Sequence, residues 1–354
     1  MAKKEKQQTI GKKLTVSEII SYCKDELGIT FNLKTEEEAS VFLAKHNYFF
    51  RLKQYAEFGE KTKAGKYTNV DFGHLVELST IDMFFRKLIL KMTIDFEHYL
   101  KVKIINDCQE NPKDDGYLVV QKFLETHNRV RNTVENYSTS SNFYNRQIFD
   151  NYKETPSVWS IVELLAFSDF IDFYAHYYEF FNLKCDYTPH FDSVRRLRNA
   201  AAHNACILSN FKSQNWFHTD IETNFELLSA NLGIGNGIIT TCMKIPVLND
   251  FAVMLANYTN LISSPMVKEK TFEEMCLPDE LKKVIYSLID CLTEREQYVI
   301  SEYFGLNTKE GLTLEEIGKN MGLTKERVRQ IKEKALKKLR SEALNNSITS
   351  DIYK

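Results

Sequence analysis

Proline and glycine are scarce in this chain. Six prolines and 13 glycines among 354 residues leave few helix breakers, which argues against a many-turned all-β fold and for long helices. No apolar run reaches about 18 residues, so no segment reads as a membrane span. The seven cysteines, Cys23, Cys108, Cys185, Cys206, Cys242, Cys276 and Cys291, are scattered and include no C-x-x-C pair. That pattern fits free thiols in a reducing compartment rather than a disulfide framework. Clustered zinc ligands are lacking, so no metal or cofactor is expected. Met1 to Lys13 is lysine-rich without an apolar core, unlike a signal peptide. A cytoplasmic protein is the expectation.

Aromatic residues, by contrast, are plentiful, with 24 Phe and 18 Tyr, and the length allows two domains. Helix starts are visible at Thr15 or Ser17, and at Thr35 ahead of Glu36-Glu37-Glu38. Gly59 to Asn69 reads as a polar loop. Asp71 to Cys108 is a long helical stretch, with Leu75, Leu78, Ile81, Met83, Phe85, Leu88, Ile89, Met92, Ile94, Phe96 and Leu100 spaced near 3.6. Asn111 to Tyr137 is polar and fits a loop or short helices. Pro156-Ser157 opens a helix running through Leu164, Phe167 and Phe170. Asn231 to Gly237 is glycine-rich but has no strand before it and no Lys-Ser/Thr after it, so it reads as a connection rather than a phosphate loop. Val247 to Ile262 is again helical, and the composition shifts at Ser263 to Pro278.

Arg198-Asn199-Ala200-Ala201-Ala202-His203 joins a guanidinium and an imidazole across small, helix-favouring residues. A guanidinium can hold a phosphate, and a histidine can move a proton near neutral pH. On a helix Asn199 and His203 share a face. Arg196 falls on the same face, and Arg198 is long enough to reach it. On spacing alone the pair is close to what chance supplies.

Three upstream blocks change its weight. Asn47-Tyr48-Phe49-Phe50-Arg51-Leu52-Lys53-Gln54-Tyr55 comes first. Asp82-Met83-Phe84-Phe85-Arg86 with Phe96-Glu97 follows, then Pro156, Trp159, Glu163 and Phe167. With Arg198, Asn199 and His203, these blocks resemble, in order, the bacterial abortive-infection (Abi) proteins of the HEPN superfamily of helical ribonucleases. Gln54, Lys101 and Ser168 depart from that pattern, but the Arg-His pair stands. The resemblance implies metal-independent RNA cleavage with His203 as general acid/base. It implies that Arg198 holds the phosphate, that Asn199 orients the histidine or binds phosphate, and that Glu97 supports them, while Arg196 is a supporting candidate by its place on the same helix face. The chain carries one such motif, so a homodimer is expected to complete the site. Phage defence or toxin action is the implied role, with an antitoxin RNA or protein as a possible partner.

Toward the C-terminus, Thr313 to Met321 reads as a short helix, Gly322-Leu323-Thr324 as a tight turn and Lys325 to Arg340 as a second helix. From Thr313 to Arg340 nine Lys/Arg stand against four Glu, a basic footprint typical of nucleic-acid binders. Thr313-Leu314-Glu315-Glu316-Ile317-Gly318 and Glu326-Arg327-Val328-Arg329-Gln330-Ile331 resemble region four of bacterial sigma factors. That resemblance puts Lys325, Glu326, Arg329 and Gln330 toward the major groove, with Lys325 and Arg327 also suited to phosphate. DNA, RNA and RNA polymerase all remain open as its partner. The expected architecture is all-α: a HEPN-type domain over 1–262, a linker at 263–279, a helix-turn-helix over 280–345 and a tail at 346–354.

Overall fold

The computed structural model describes residues 13–46, 49–135, 146–152, 154–185, 187–212, 226–230, 239–240, 243–275, 289–304, 306 and 311–345. Asn47 and Tyr48, the Asn231–Gly237 stretch, Cys242, Cys276, Gly305 and the tail lie outside them. Among the described residues the fold is all-α apart from one small hairpin. The chain packs as two compact units, residues 1–87, 204–215 and 277–354 in one, residues 88–203 and 216–276 in the other. No helix among the described residues is long and apolar enough to cross a membrane.

The first unit begins with helix α1 (Val16–Ser21), opened by a capping box between Thr15 and Glu18. It continues as a wider turn over Tyr22–Leu27 and stops at Gly28, whose φ of 71° is left-handed. A Cβ at Gly28 would also lie 2.9 Å from the Tyr67 carbonyl oxygen, so glycine suits this stop on two counts. Thr35 caps α2 (Glu36–His46) with a reciprocal bond to Glu38. Then come α3 (Phe49–Tyr55) and, within the predicted polar loop, a hairpin of β1 (Glu60–Lys61) with β2 (Tyr67–Thr68). These elements and the start of α4 (Phe72–Glu110) close over Ile19, Cys23, Leu43, Leu52, Tyr55, Phe72 and Leu75. Burial in this core pushes the Cys23 thiol up to about 12, so it behaves as a small apolar filler.

Helix α4 is 39 residues long. Its buried stripe beyond residue 88 is Ile89, Met92, Phe96, Leu100, Ile104 and Cys108. Ile94, placed in the stripe by the sequence reading, is exposed, since two residues beyond Met92 is more than half a turn away. The second unit adds α5 (Leu118–Thr126), α6 (Asn128–Glu135), α7 (Arg146–Tyr152), α8 (Val158–Leu164), α9 (Phe167–Phe180), α10 (Phe191–Ala202), α11 (Pro246–Leu261) and α12 (Pro265–Met275). The single helix expected after Pro156 is two, because Leu165 and Ala166 are extended. Ser157 caps the first of them. Phe123, Phe170, Phe173, Tyr174 and Tyr177 fill the interior with edge-on ring contacts. Such aromatic packing contributes about 0.5–1.5 kcal/mol per pair beyond burial.

Candidate active site and nucleic-acid interface

Helix α10 follows a short turn at Thr188–His190 that contains Pro189. Phe191, Val194, Leu197 and Ala201 face inward, a spacing that leaves the arginines on the outer faces. The helix ends at His203, whose N–H reaches the Asn199 carbonyl at 2.9 Å. Asn204 then turns left-handed with φ of 58°, a conformation asparagine tolerates better than most side chains. His203 therefore sits at the helix end rather than within it, and its side chain is exposed.

Arg198 is partly buried, and two groups hold it. Its Nη2 is 3.8 Å from Glu97 Oε2 on α4. Its guanidinium lies 4.8 Å over the ring of Phe167, which is itself buried. The second Glu97 oxygen is 3.2 Å from Lys101 Nζ, and Lys101 is 3.9 Å from Glu163. Glu163, Lys101, Glu97 and Arg198 thus form a row of alternating charge. A guanidinium has five N–H donors in a fixed fork, more than a single carboxylate at 3.8 Å engages, so Arg198 can share itself with a phosphate.

Of the sequence-selected residues, the structure brings Arg198 and Glu97 together and places Asn199 and His203 at the same helix end. Arg196 is directed elsewhere. It makes a two-pronged ion pair with Asp250 on α11, at 2.9 and 2.8 Å, and donates to Ser193 Oγ. Asp250 is buried, so this pair fastens α10 to α11. Lys101, noted in the sequence only as a departure, proves central to the charge row. Phe167 emerges as the plate beneath Arg198.

The C-terminal helices have their own core. They are α13 (Glu294–Phe304), α14 (Leu314–Met321) and α15 (Lys325–Asn345). Val299, Ile317 and Val328 pack as one cluster, and Leu292, Ile300 and Ala335 as another. A capping box from Thr313 to Glu316 opens α14. Gly322, with φ of 66°, ends it, and Leu323 N–H bonds back to the Gly318 carbonyl at 2.8 Å. A Cβ on Gly318 would meet the Leu323 carbonyl oxygen at 2.7 Å, so the tight turn requires glycine there. Buried Glu296 receives Lys338 at 2.7 Å. That bond, with those from Thr293, holds its carboxyl down to about 2.

Residues 41–209 match the family model described as Abi-like protein, and residues 288–341 match sigma-70, region 4. The chain thus joins a segment similar to Abi-like proteins to one similar to sigma-70 region 4. Three sigma factors illustrate the second likeness. The chloroplastic sigma factor sigD of Arabidopsis thaliana is 49% identical over 69 residues, 20% of this chain and 16% of that protein. Sigma factor SigA of a Bacillus species is 52% identical over 60 residues, 17% of this chain and 16% of its own. Sigma factor RpoD of Helicobacter pylori is 35% identical over 136 residues, 35% of this chain and 19% of its own. The chain thus spans less than a fifth of each relative. No solved structure matches it.

In region 4, Lys325, Glu326, Arg327, Arg329 and Gln330 all stand exposed on α15. Glu326, Arg327, Arg329 and Gln330 are bonded to one another as well. Arg329 is paired with Glu326 at 2.6 Å and with Glu333. The Glu326 bond and charge come first among the causes that raise its already high pKa. Arg327 donates to Gln330 Oε1 at 3.0 Å. Both Arg329–glutamate pairs are solvent-exposed, so each holds its partner only weakly.

Proposed function

We propose that the Abi-like region is a metal-independent endoribonuclease of the HEPN type, acting in phage defence or as a toxin, with region 4 as its nucleic-acid-binding module. The observation that carries this reading is Arg198, held by Glu97 and Phe167 on the helix that ends in exposed His203. The reaction is a transesterification. The substrate 2′-oxygen attacks the adjacent phosphorus and the bond to the 5′-oxygen breaks. A 2′,3′-cyclic phosphate and a 5′-hydroxyl result. The 2′-hydroxyl proton leaves to a base, and the 5′-oxygen takes one from an acid. His203 performs one of these transfers, and Arg198 holds the phosphate as negative charge gathers on its oxygens. A second copy of the chain brings the other motif, Ala200 and Ala202 keeping the outer helix surface low enough for close approach. The proposed division is an Abi-like domain over 1–262 followed by a linker and region 4.

Labelled RNA incubated with the protein in excess EDTA tests this reading. Cleavage leaving cyclic phosphate ends is expected, whereas strict dependence on added magnesium contradicts it. The identity of region 4 to sigma factors favours a second reading, in which that module grips promoter-like DNA or RNA polymerase and the Abi-like region only binds RNA. Retention of core polymerase by the protein, without RNA cleavage, would establish it.

A further inference from the structure

Two aromatic side chains stand out of the surface at the far end of the charge row that begins at Arg198. On α8 the exposed residues are Trp159 and Glu163, four apart and therefore on one face. Glu163 is 3.9 Å from Lys101, Lys101 is 3.2 Å from Glu97, and Glu97 is 3.8 Å from Arg198. The row thus runs from the Trp159 face of α8 to the guanidinium. Trp159 is 41% exposed and Tyr117 46%, and their rings meet edge-on at 5.6 Å.

The indole is firmly seated for so exposed a group. Its six-membered ring lies against Gly116, where a Cβ would come within 2.5 Å of it. Gly116 has a left-handed φ of 75°. Its N–H donates to Asp114 Oδ1 at 2.8 Å, and its carbonyl accepts from the Val158 N–H at 2.8 Å. Glycine therefore clears a seat for part of the ring, while the rest is left in water. A tryptophan serving only to plug the loop would bury all of it.

We propose that Trp159, edged by Tyr117, is a stacking platform for an unpaired base of single-stranded RNA whose backbone runs to Arg198. The neighbours decide the occupant. A rigid, half-exposed aromatic suits the face of a base, and a guanidinium on the same surface suits a phosphate further along the strand. A purely apolar partner would have to take the charged row out of water, which is costly. Stacking tolerates any sequence but needs a splayed-out base, so the substrate class is single-stranded RNA rather than duplex. The proposal rests on the RNA reading of the Arg198 site, but stacking is read without cleavage.

A short 2′-O-methyl oligoribonucleotide is the probe, because its attacking hydroxyl is capped and it binds uncut. The chain has two tryptophans, Trp159 and Trp216. Binding to the full chain should quench fluorescence in the wild type and in Trp216→Phe, and not in Trp159→Phe. An abasic strand of equal length should quench none of them. Trp159→Leu, with helix content unchanged, should bind the probe about 5- to 150-fold more weakly, the range for loss of one stacked base. It should raise KM for RNA cleavage by a similar factor and keep kcat within about twofold. Equal affinity in a folded Trp159→Leu protein, or no quenching of Trp216→Phe at saturation, overturns the proposal. So does a Trp159 signal that follows protein concentration without RNA, which would seat a second copy on the ring. If the probe quenches Trp159 but RNA is not cut, the ribonuclease reading falls and the platform stands. If RNA is cut and Trp159 is not quenched, the platform falls and the ribonuclease reading stands.

Discussion

The Abi-like site and region 4 carry their candidate functional residues in opposite ways. In the region 4-like segment the candidate nucleic-acid residues stand exposed on one helix, over a core that the same short segment supplies. At the Arg198 site the important side chains come from α4, α9 and α10, far apart in sequence. The first arrangement leaves a contiguous pattern that can be matched almost letter by letter. The second leaves isolated letters whose meaning appears only when the helices are packed. This explains why the sigma likeness reaches 52% identity over a short span, whereas the Abi likeness rests on scattered blocks.

Perturbing each region in turn should pull the two apart. The largest effect is expected from Arg198→Ala, which should lower the rate of RNA cleavage about 10²–10³-fold, in line with loss of one group that stabilises transition-state charge. DNA binding by region 4 should be unchanged, and gel-shift and cleavage assays on one preparation check both. Gly318→Val should act on the other region. The added Cβ meets the Leu323 carbonyl at 2.7 Å, and relieving it should cost about 1–3 kcal/mol, read as early melting of the C-terminal helices. Arg329→Ala should weaken a specific DNA complex by about 1–3 kcal/mol if its guanidinium reads a base. An equal loss on all sequences would make it a phosphate contact.

The smallest effect concerns pH. The Glu296 carboxyl is held near 2, below its ordinary 4.5, chiefly by Lys338. A depressed carboxylate stabilises the fold above its unfolded value, and that contribution fades as pH falls from about 4.5 toward 2. Glu296→Gln should flatten the acid limb of unfolding over that range, as followed by circular dichroism.

Much of the fold was legible in the sequence because its helix starts are written locally. Thr15, Thr35, Ser157 and Thr313 all cap the helices they precede. What was not legible depended on burial of charge. Ile81 and Met83 look like core positions, yet both are substantially exposed and Asp82 between them is fully buried. Apolar periodicity misplaces that turn, because the inward residue is a carboxylate whose partners, Arg51 and Tyr55, lie on α3. The hairpin at 60–68 was hidden for another reason. Its strands are two residues each, too short to show alternation. At the candidate site, the sequence supplied Arg198, Asn199, His203 and Glu97. It gave Arg196 a role beside His203, but nothing in the local pattern pointed to Asp250, 54 residues on, as the partner Arg196 takes.

The most direct test of the central claim is cleavage of labelled RNA by wild-type protein and by His203→Ala, both in EDTA and both shown to be folded. The account predicts cyclic-phosphate products from the wild type and a loss of about 10²-fold or more in the variant. A His203→Ala protein that cleaves as fast as the wild type would contradict it.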